Sequence, residues 1–503
     1  MNMNKQRTVR LLALSFLLLI SVSLFGAGNM ESATYDGLSV TRSGQPAKYV
    51  FLFIGDGMAT PQINAAEAFA NARVSDDVAV RHLQFAKFPV VGLTTTYDAG
   101  SLITDSASAG TAIATGNKTL SGVINMDTSK NNSFKTIAEY AKEKGMKVGV
   151  VSSVSLDHAT PACFYAKVPS RGNMYDIGIQ LTKSGFDYFG GGGFAQPRGK
   201  GNDQPDIVSL AKASGYTYVN SAEAFNNLKA GSGNVLAVNE RLQDSGAMPY
   251  DLDRKPNELS LADYTAKGIE LLSDDPDGFF LMVESGKIDW AGHANDAAAA
   301  IHDTLMFDEA ISKAVEFANE HPQETLIIVT GDHETGGMTI GFAGTKYATF
   351  FNEIGKQSMS FTAFDQEVLG PYKATVKASG KPAYLSDLLP AIKQAFGLDY
   401  NSLSAVQKDQ LGLAFSRSMG NETISPRVED HYLLYGGYEP LTVKITQIIN
   451  QQAGIGWTSY SHTGVPVATF ARGVGQELFG GYYDNTDIFH KMMIAMDMTP
   501  DTK

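Results

Sequence analysis

Apolar runs that end in glycine or polar residues recur along the chain, and they predict the strands of a buried sheet. They include KYVFLFIGDGM (48–58), KVGVVSSV (147–154), GFFLMVES (278–285) and TLIIVTGDHETGG (325–337). Helical patterns lie between them, such as SFKTIAEYAKEKG (133–145) and ADYTAKGIELLSDD (262–275). Continuous apolar strands that alternate with helices favour an α/β fold with a central, mainly parallel sheet and helices on both faces.

Ligands of such sheets bind beyond the carboxyl ends of the strands. The polar residues that follow the apolar runs are therefore candidates for one shared site: Asp56, residues 152–157, Glu284, Asp332 and His333.

The chain divides by composition into four segments. Residues 1–28 join basic residues to the short apolar run LLALSFLLLISVSLF and then to small residues, which is the layout of a secretory signal peptide. An uncleaved membrane anchor is the alternative interpretation.

We expect an α/β core at 47–346, an insertion within the core domain at 347–457 and a C-terminal return to the core at 458–503. The insertion is expected to form a crown-like rim or a subunit contact, and its clear helical pattern is AYLSDLLPAIKQAFG (383–397).

Composition and charge exclude some classes of function and structure. The 503 residues are 43% hydrophobic and 18% charged, which is typical of a globular protein. A net charge of −13 argues against a nucleic-acid-binding surface, whereas a small anion could still bind where cations dominate locally. Cys163 is the one cysteine in the sequence, so no internal disulfide can form.

The stretch ITDSASAGTAIATG (103–116) predicts a helix almost free of bulky side chains. Thr104, Asp105 and Ser106 are all good N-cap residues, and a serine there lies near unpaired backbone N–H groups and the positive end of the helix dipole. The stretch fits an anion site with an ionisable oxygen, and it also fits an ordinary capped helix packed tightly in a core.

Four of the nine histidines stand beside carboxylates or glycines: His158, His293, His333 and His462. Asp289 and His293 are four residues apart, so they face the same side of a helical turn and suit a first-row metal. A single Asp–His pair often only forms a buried hydrogen bond. Four such places after predicted core strands favour a metal centre.

In order and spacing, these motifs resemble those of the metal-dependent serine alkaline phosphatases. FIGDGM resembles the first metal-binding turn, TDSASAGTAIATG the nucleophile helix, and HATPACFYAKVPSR a segment with a third-metal hydroxyl and an arginine. VESGKIDWAGH, VTGDHETGG and SHTG resemble the remaining metal segments. The resemblance spans residues 48–473, and the stretch 347–457 matches poorly.

The resemblance implies a set of ligands and a mechanism. A first zinc ion would be held by Asp289, His293 and His462. A second would be held by Asp56, Asp332, His333 and ionised Ser106. A third ion, expected to be magnesium, would be held by Asp56, Thr160 and Glu284. Ser106 would attack phosphorus to give a phosphoserine, which is then hydrolysed, so that phosphate monoesters of broad range release inorganic phosphate.

Three further positions follow from the resemblance. Arg171 would grip two phosphoryl oxygens through its planar guanidinium. His158 and Trp290 stand near the third ion and the phosphate, at places where the enterobacterial form has Asp and Lys. The resemblance also implies a homodimer that acts on small monoesters in the periplasm or outside the cell. With the signal cleaved, neither a membrane span nor a nucleic-acid-binding surface is expected.

Two other functions remain open from the sequence. A relative with the same metal core could hydrolyse diesters, phosphonates or sulfate esters, although a sulfatase would need a Cys or Ser followed closely by Pro and Arg, which DSASAG lacks. A non-catalytic protein that binds metal or phosphate is the second alternative.

Overall fold

The structure is a computed structural model that describes residues 31–35, 38–42, 44–420 and 428–501. The predicted signal peptide at 1–28 lies outside the described residues and stays a prediction. Within these ranges, every helix is too short or too polar to cross a membrane.

A ten-stranded sheet forms the centre of the molecule, and three two-stranded sheets accompany it in the described ranges. The strands are β1 (Glu31–Tyr35), β2 (Leu38–Arg42), β3 (Tyr49–Gly55), β4 (Val90–Thr95), β5 (Lys147–Ser152), β6 (Tyr188–Gly191), β7 (Thr217–Val219), β8 (Val235–Val238), β9 (Phe279–Ser285), β10 (Thr325–Gly331), β11 (Glu334–Thr335), β12 (Thr339–Ile340), β13 (Ile455–Gly456), β14 (His462–Thr463), β15 (Val467–Gly473) and β16 (Gly481–Asp484). The order across the large sheet is β16-β4-β15-β10-β3-β9-β5-β6-β8-β7.

Parallel pairing dominates this sheet. β15 pairs antiparallel with both β10 and β4, and the other neighbours pair parallel. Every residue of the central strands β3, β9 and β10 is buried. Strands buried on both faces need apolar side chains at successive positions, which explains the continuous apolar runs of the sequence.

Helices cover both faces of the sheet. Alternate residues of β3 point into different cores, since Phe51 and Phe53 belong to one cluster and Leu52 and Ile54 to the other. The α-helices span Thr60–Ala72, Ser106–Thr115, Ile137–Glu143, Ala159–Ala162, Met174–Lys183, Ile207–Ala213, Ala222–Asn226, Leu261–Leu272, Lys287–His293, Ala297–Glu320, Phe361–Phe364, Gly370–Ser379, Leu389–Phe396, Ala405–Ser418, Val428–Tyr435, Pro440–Ala453 and Asn485–Ala495. The predicted fold class, a mainly parallel α/β sheet with helices on both faces, is confirmed.

The segment 347–457 is largely helical in its described part. A helix at Leu389–Phe396 lies within the pattern noted at 383–397, and further helices precede and follow it. The Pro440–Ala453 helix adds Leu441, Ile445 and Ile448 to one of the cores flanking the sheet. After it, β15, β16 and the last helix pack into the central structure. The division into core, insertion and return stays a prediction of domain organisation.

Candidate metal centre and active site

Three adjacent strands end at the same level and bring the candidate ligands together. β3 lies between β9 and β10, and Gly55 at its end pairs with Gly331 on one side and Ser285 on the other. Asp56 follows β3, Glu284 is the penultimate residue of β9, and Asp332 and His333 follow β10. These side chains are fully buried.

A first group of ligand atoms comes from Asp56, Asp332 and His333, which lie within 4.8 Å of one another. The Nε2 atom of His333 is 3.3 Å from an oxygen of each carboxyl group. The Oγ atom of Ser106 lies 3.3 Å from the same Nε2. The candidate nucleophile therefore adjoins this group.

Gly57 makes the turn after Asp56 sterically feasible. Its φ of +72° lies in the left-handed region, and a Cβ atom there would stand 2.7 Å from the Cα of Asp289. Its N–H donates to an Asp332 oxygen at 3.1 Å. The turn thus fixes Asp332 and leaves room for the helix that carries Asp289.

A second group consists of Asp289, His293 and His462. The Oδ1 of Asp289 is 3.4 Å from Nε2 of His293 and 3.5 Å from Nε2 of His462, and the two Nε2 atoms are 3.2 Å apart. His333 also lies close, because its ligand atom is within 4.8 Å of those of Asp289 and His462. Thr335 donates a short hydrogen bond to Asp289 and orients that carboxylate.

The tautomers of these two histidines favour a cation. Nδ1 of His293 faces the carbonyl oxygen of Tyr460 at 2.6 Å, and Nδ1 of His462 faces that of Thr104 at 2.8 Å. A carbonyl only accepts, so each Nδ1 carries a proton, and the neutral form of each ring presents the lone pair of its Nε2. Two facing lone pairs beside a carboxylate suit a metal ion.

A third group joins Asp56, His158 and Glu284 within 4.8 Å. Thr160 donates to Asp56 at 3.5 Å, and Ser152 donates a short hydrogen bond to Glu284. Thr160 is therefore near the group that the resemblance assigns to it, and His158 contributes a ligand atom to the same cluster.

The buried carboxyl groups of these clusters are poorly compensated by the protein itself. Burial and neighbouring carboxylates, Asp289 among them, raise the pKa of Asp332 to about 8, and burial raises that of Glu284 to about 7. Burial and then Asp332 raise the pKa of Asp56 well above its ordinary value. Oδ1 of Asp56 and Oδ2 of Asp332 accept no hydrogen bond from the described residues. Bound divalent cations would supply the missing charge and occupy these oxygens, so the donor set fits metal ions.

Ser106 is the first residue of the helix Ser106–Thr115, all of which is buried. Asp105 caps this helix and accepts from the N–H of Ser108 at 3.0 Å. The small side chains permit close packing, since a Cβ atom on Gly110 would stand 2.8 Å from the Sγ of Cys163. The helix N-terminus lies against the ligand groups, because Oγ of Ser106 is 3.3 Å from Nε2 of His333.

Arg171 is held by two partners at this N-terminus. Its Nη1 donates to Asp105 at 3.0 Å, and its Nη2 contacts Nε2 of His158 at 3.0 Å. Although burial raises the pKa of Asp105, the Arg171 charge and the hydrogen bonds from Gly122 and Ser108 together outweigh burial and hold that pKa well below its usual range. About 30% of the Arg171 side chain is exposed, so the guanidinium can meet a ligand from solvent.

Trp290, which the sequence placed near the third ion, lies beside His158, and Lys287, which the sequence did not place there, lies beside Trp290. The Trp290 ring meets the His158 ring edge-on with centroids 5.8 Å apart. Lys287 is fully buried, pairs with Asp244 and holds its Nζ 5.0 Å from the Trp290 ring. Sequence reasoning missed Lys287, and its signal was a lysine two residues before Asp289 in a segment that otherwise reads as buried.

Comparisons with known sequences identify the family. A family model described as alkaline phosphatase matches residues 47–498. The chain is 31% identical over 498 residues to alkaline phosphatase 3 of Bacillus subtilis, with 97% of each chain covered. It is 28% identical over 454 residues to the repressible alkaline phosphatase of Saccharomyces cerevisiae, covering 84% of this chain and 75% of that one.

Solved structures agree with the sequence relatives. The cold-active alkaline phosphatase of a psychrophilic Shewanella sp. is 30% identical with a TM-score of 0.72, covering 89% of this chain and 99% of that one. The alkaline phosphatase of Thermus thermophilus is 26% identical with a TM-score of 0.74, covering 92% of this chain and 93% of that one. The sequence match over nearly the whole chain and the shared fold lead to one conclusion: the chain belongs to the alkaline phosphatase family.

Proposed function

We propose that this hydrolase cleaves phosphate monoesters through a phosphoserine at Ser106 and releases inorganic phosphate. One observation carries the proposal. The Ser106 hydroxyl lies at a helix N-terminus, 3.3 Å from Nε2 of His333, among three groups of candidate metal ligands. A nucleophile beside clustered ligands suits the in-line displacement of phosphoryl transfer.

In the proposed reaction, Arg171 binds and orients the substrate. Asp105 and His158 fix the plane of its guanidinium, and its remaining N–H groups hold two phosphoryl oxygens. Ser106 Oγ loses its proton and attacks phosphorus, while the bond from phosphorus to the leaving oxygen breaks and that oxygen takes up a proton. Water then attacks the phosphoserine, and Ser106 Oγ leaves with a proton.

The three groups of ligand atoms correspond to three proposed metal ions. A first zinc ion would bind Asp289, His293 and His462. A second would bind Asp56, Asp332, His333 and Ser106. Such ions lower the pKa of a bound hydroxyl or water and stabilise both the entering and the leaving oxygen of an in-line displacement.

A third ion would bind Asp56, Thr160 and Glu284, with His158 beside them. Carboxylate and hydroxyl oxygens favour magnesium, whereas mixed imidazole and carboxylate sets favour zinc. A mutant of the TAB5 alkaline phosphatase, 25% identical to this chain, was solved with magnesium bound in its M3 site. We therefore assign magnesium to the third group.

A single assay tests this function against the alternatives. The purified protein is given p-nitrophenyl phosphate, bis-p-nitrophenyl phosphate and p-nitrophenyl sulfate in parallel, and its metal content is measured. We expect the monoester to be hydrolysed fastest and zinc to be the main metal. A preference for the diester or the sulfate would contradict the monoesterase assignment, and turnover of none would favour a binding protein.

We also propose that the protein acts as a homodimer, as its family implies. Exposed apolar side chains at one end of the sheet support this, because Val91 and Leu93 on β4 and Tyr482 on β16 are 49%, 43% and 67% exposed. An apolar sheet end of this kind suits burial against a second copy. Light scattering would give twice the chain mass for a dimer, and a monomer mass across the working concentration range would contradict it.

A further inference from the structure

Glu334 begins strand β11, which pairs with β14 and its proposed metal ligand His462, although Glu334 belongs to none of the three ligand groups. It follows His333 in the chain, and its side chain is fully buried. The proposed reaction gives it no role. Burying a carboxyl group is costly unless its oxygens are satisfied, so its hydrogen-bond partners define what it contributes.

Four donors surround the Glu334 carboxyl group. Oε1 accepts from Nε2 of Gln62 at 2.7 Å and from the N–H of Met338 at 3.0 Å. Oε2 accepts from the N–H of Gly337 at 3.0 Å and from the hydroxyl of Thr463 through a short hydrogen bond. Each oxygen therefore accepts two hydrogen bonds, so both oxygens are fully used as acceptors.

Two of these partners lie on other segments of the site. Gln62 belongs to the Thr60–Ala72 helix, which begins four residues after Asp56, and its Oε1 accepts from the N–H of Ala59 at 3.0 Å. Thr463 follows His462, and β11 pairs with β14 so that Glu334 stands opposite Thr463. One carboxyl group thus joins the segments that carry Asp56, His333 and His462.

We propose that Glu334 is a positioning residue that sets the spacing of the metal ligands through Gln62 and Thr463. This inference rests on the proposed function, because it needs the metal groups to be real. The bonds to Gly337 and Met338 only close the turn that contains Glu334. The bonds to Gln62 and Thr463 span separate ligand-bearing segments, and their loss would let those segments move relative to one another.

The test measures metal binding rather than activity alone. Glu334→Gln keeps the size of the side chain but turns an amide NH₂ toward donors that need an acceptor. Thr463→Val removes one hydroxyl and keeps the shape. We expect each variant to lower zinc affinity about tenfold or more, measured by competition with a chelator, as loss of such outer partners does in metal sites. The visible spectrum of the cobalt-substituted protein should change in both.

Two matched controls separate positioning from general stability. Thr463→Ser keeps the hydroxyl and should retain wild-type zinc affinity. Glu67→Gln alters a buried carboxyl group on the same helix as Gln62, where it accepts from the N–H of Leu83 at 3.1 Å and not from a ligand-bearing segment. It should lower the Tm of the metal-free protein while zinc affinity and the cobalt spectrum stay unchanged.

The outcomes distinguish this proposal from the proposed function. If the wild type binds zinc and both Glu334→Gln and Thr463→Val bind it equally tightly, Glu334 serves only its own turn and the positioning role is wrong. If Glu334→Gln does not fold, Thr463→Val decides the matter by the same measurement. If the wild type itself binds no zinc, the metal-dependent function is overturned together with this inference.

Discussion

Nε2 of His158 accepts a hydrogen bond from Nη2 of Arg171 at 3.0 Å, while Nη1 of the same guanidinium donates to Asp105 at 3.0 Å. Burial and the charge of Arg171 lower the pKa of His158 to about 3. The imidazole is therefore neutral at neutral and alkaline pH and can accept this bond. A carboxylate and a neutral ring together fix the plane of the guanidinium next to Asp105, the residue that precedes Ser106.

Arg171→Lys is expected to weaken binding of inorganic phosphate. Lysine keeps the charge but cannot contact Asp105 and His158 while presenting two parallel N–H groups to phosphate. Loss of a charge-assisted hydrogen bond is worth about 1.5–3 kcal/mol, which is roughly a 10- to 150-fold rise in the inhibition constant. Competitive inhibition by phosphate measures this constant, and an unchanged value would show that Arg171 does not contact the phosphoryl group.

Ser106→Ala is expected to reduce turnover of p-nitrophenyl phosphate by about 10³-fold or more, the scale on which losing a nucleophile acts. Zinc content should change little, because Asp56, Asp332 and His333 remain. Wild-type protein quenched in acid after incubation with ³²P-labelled substrate should carry label on Ser106, and the variant should carry none. Label retained by the variant would assign the nucleophile to another residue.

Much of this site can be predicted from the sequence, because its residues come directly after the apolar runs that form the strands. Asp56, Glu284, Asp332 and His333 were predicted to meet because neighbouring parallel strands end at one edge, and the register of β3 with β9 and β10 explains why they do. Buried strands need long apolar stretches, so the sequence marks their ends clearly. The order of the ten strands and the reversed direction of β15 depend on long-range pairing, which local pattern does not encode.

Side-chain partnerships were beyond sequence reasoning. The bonds of Glu334 to Gln62 and Thr463 join residues that are 272 and 129 positions apart along the chain.

Helices of the 347–457 segment were missed for a different reason. The helix Ala405–Ser418 buries Leu411, Ala414, Phe415 and Ser418, a helical spacing that was present but weakened by the polar and small residues around it.

Removal of metal is expected to inactivate the protein and lower its Tm. Asp56, Asp332 and Glu284 would then remain buried without a compensating cation. Zinc present at about 100 times its Kd stabilises a folded chain by about 2.7 kcal/mol, so zinc should restore the Tm as well as activity. Dialysis against a chelator followed by calorimetry with and without zinc checks this. Full activity and an unchanged Tm in metal-free protein would contradict the assignment.

The metal-free protein should also become less stable as pH rises. The folded pKa of Asp332 is about 8, against an ordinary value of 3.8, so the folded chain keeps a proton that the unfolded chain has released between these values. The contribution of this proton to the free energy of unfolding is fully present below about pH 4 and is lost as pH rises through about 8. Other buried carboxyl groups, such as Asp296 with a pKa of about 6, contribute in the same direction.

Asp332→Asn shows how much of this pH dependence comes from Asp332, because an amide does not titrate. The Tm of metal-free wild type and variant is measured between pH 5 and 8 in chelator, and the variant should show the shallower decline. Zinc affinity of the wild type should rise with pH over the same range, because the metal displaces the proton. Parallel declines in the two proteins would show that Asp332 does not hold a proton in the folded state.

His158→Asp is expected to strengthen magnesium binding at the third group. The substitution places a third carboxylate beside Asp56 and Glu284, and a hard oxygen ligand with added negative charge favours magnesium. A unit charge 4 Å from a cation is worth about 1 kcal/mol even in water, so we expect the magnesium Kd to fall about fivefold or more. The same carboxylate would pair with Arg171, and phosphate inhibition should weaken because less of the guanidinium charge remains for the ligand.

His158→Asn is the matched control, since its amide oxygen can accept from Arg171 without adding charge. Isothermal titration with magnesium and inhibition by phosphate are measured for both variants, and equal magnesium affinity in the two would show that charge at position 158 does not set the preference of the third group.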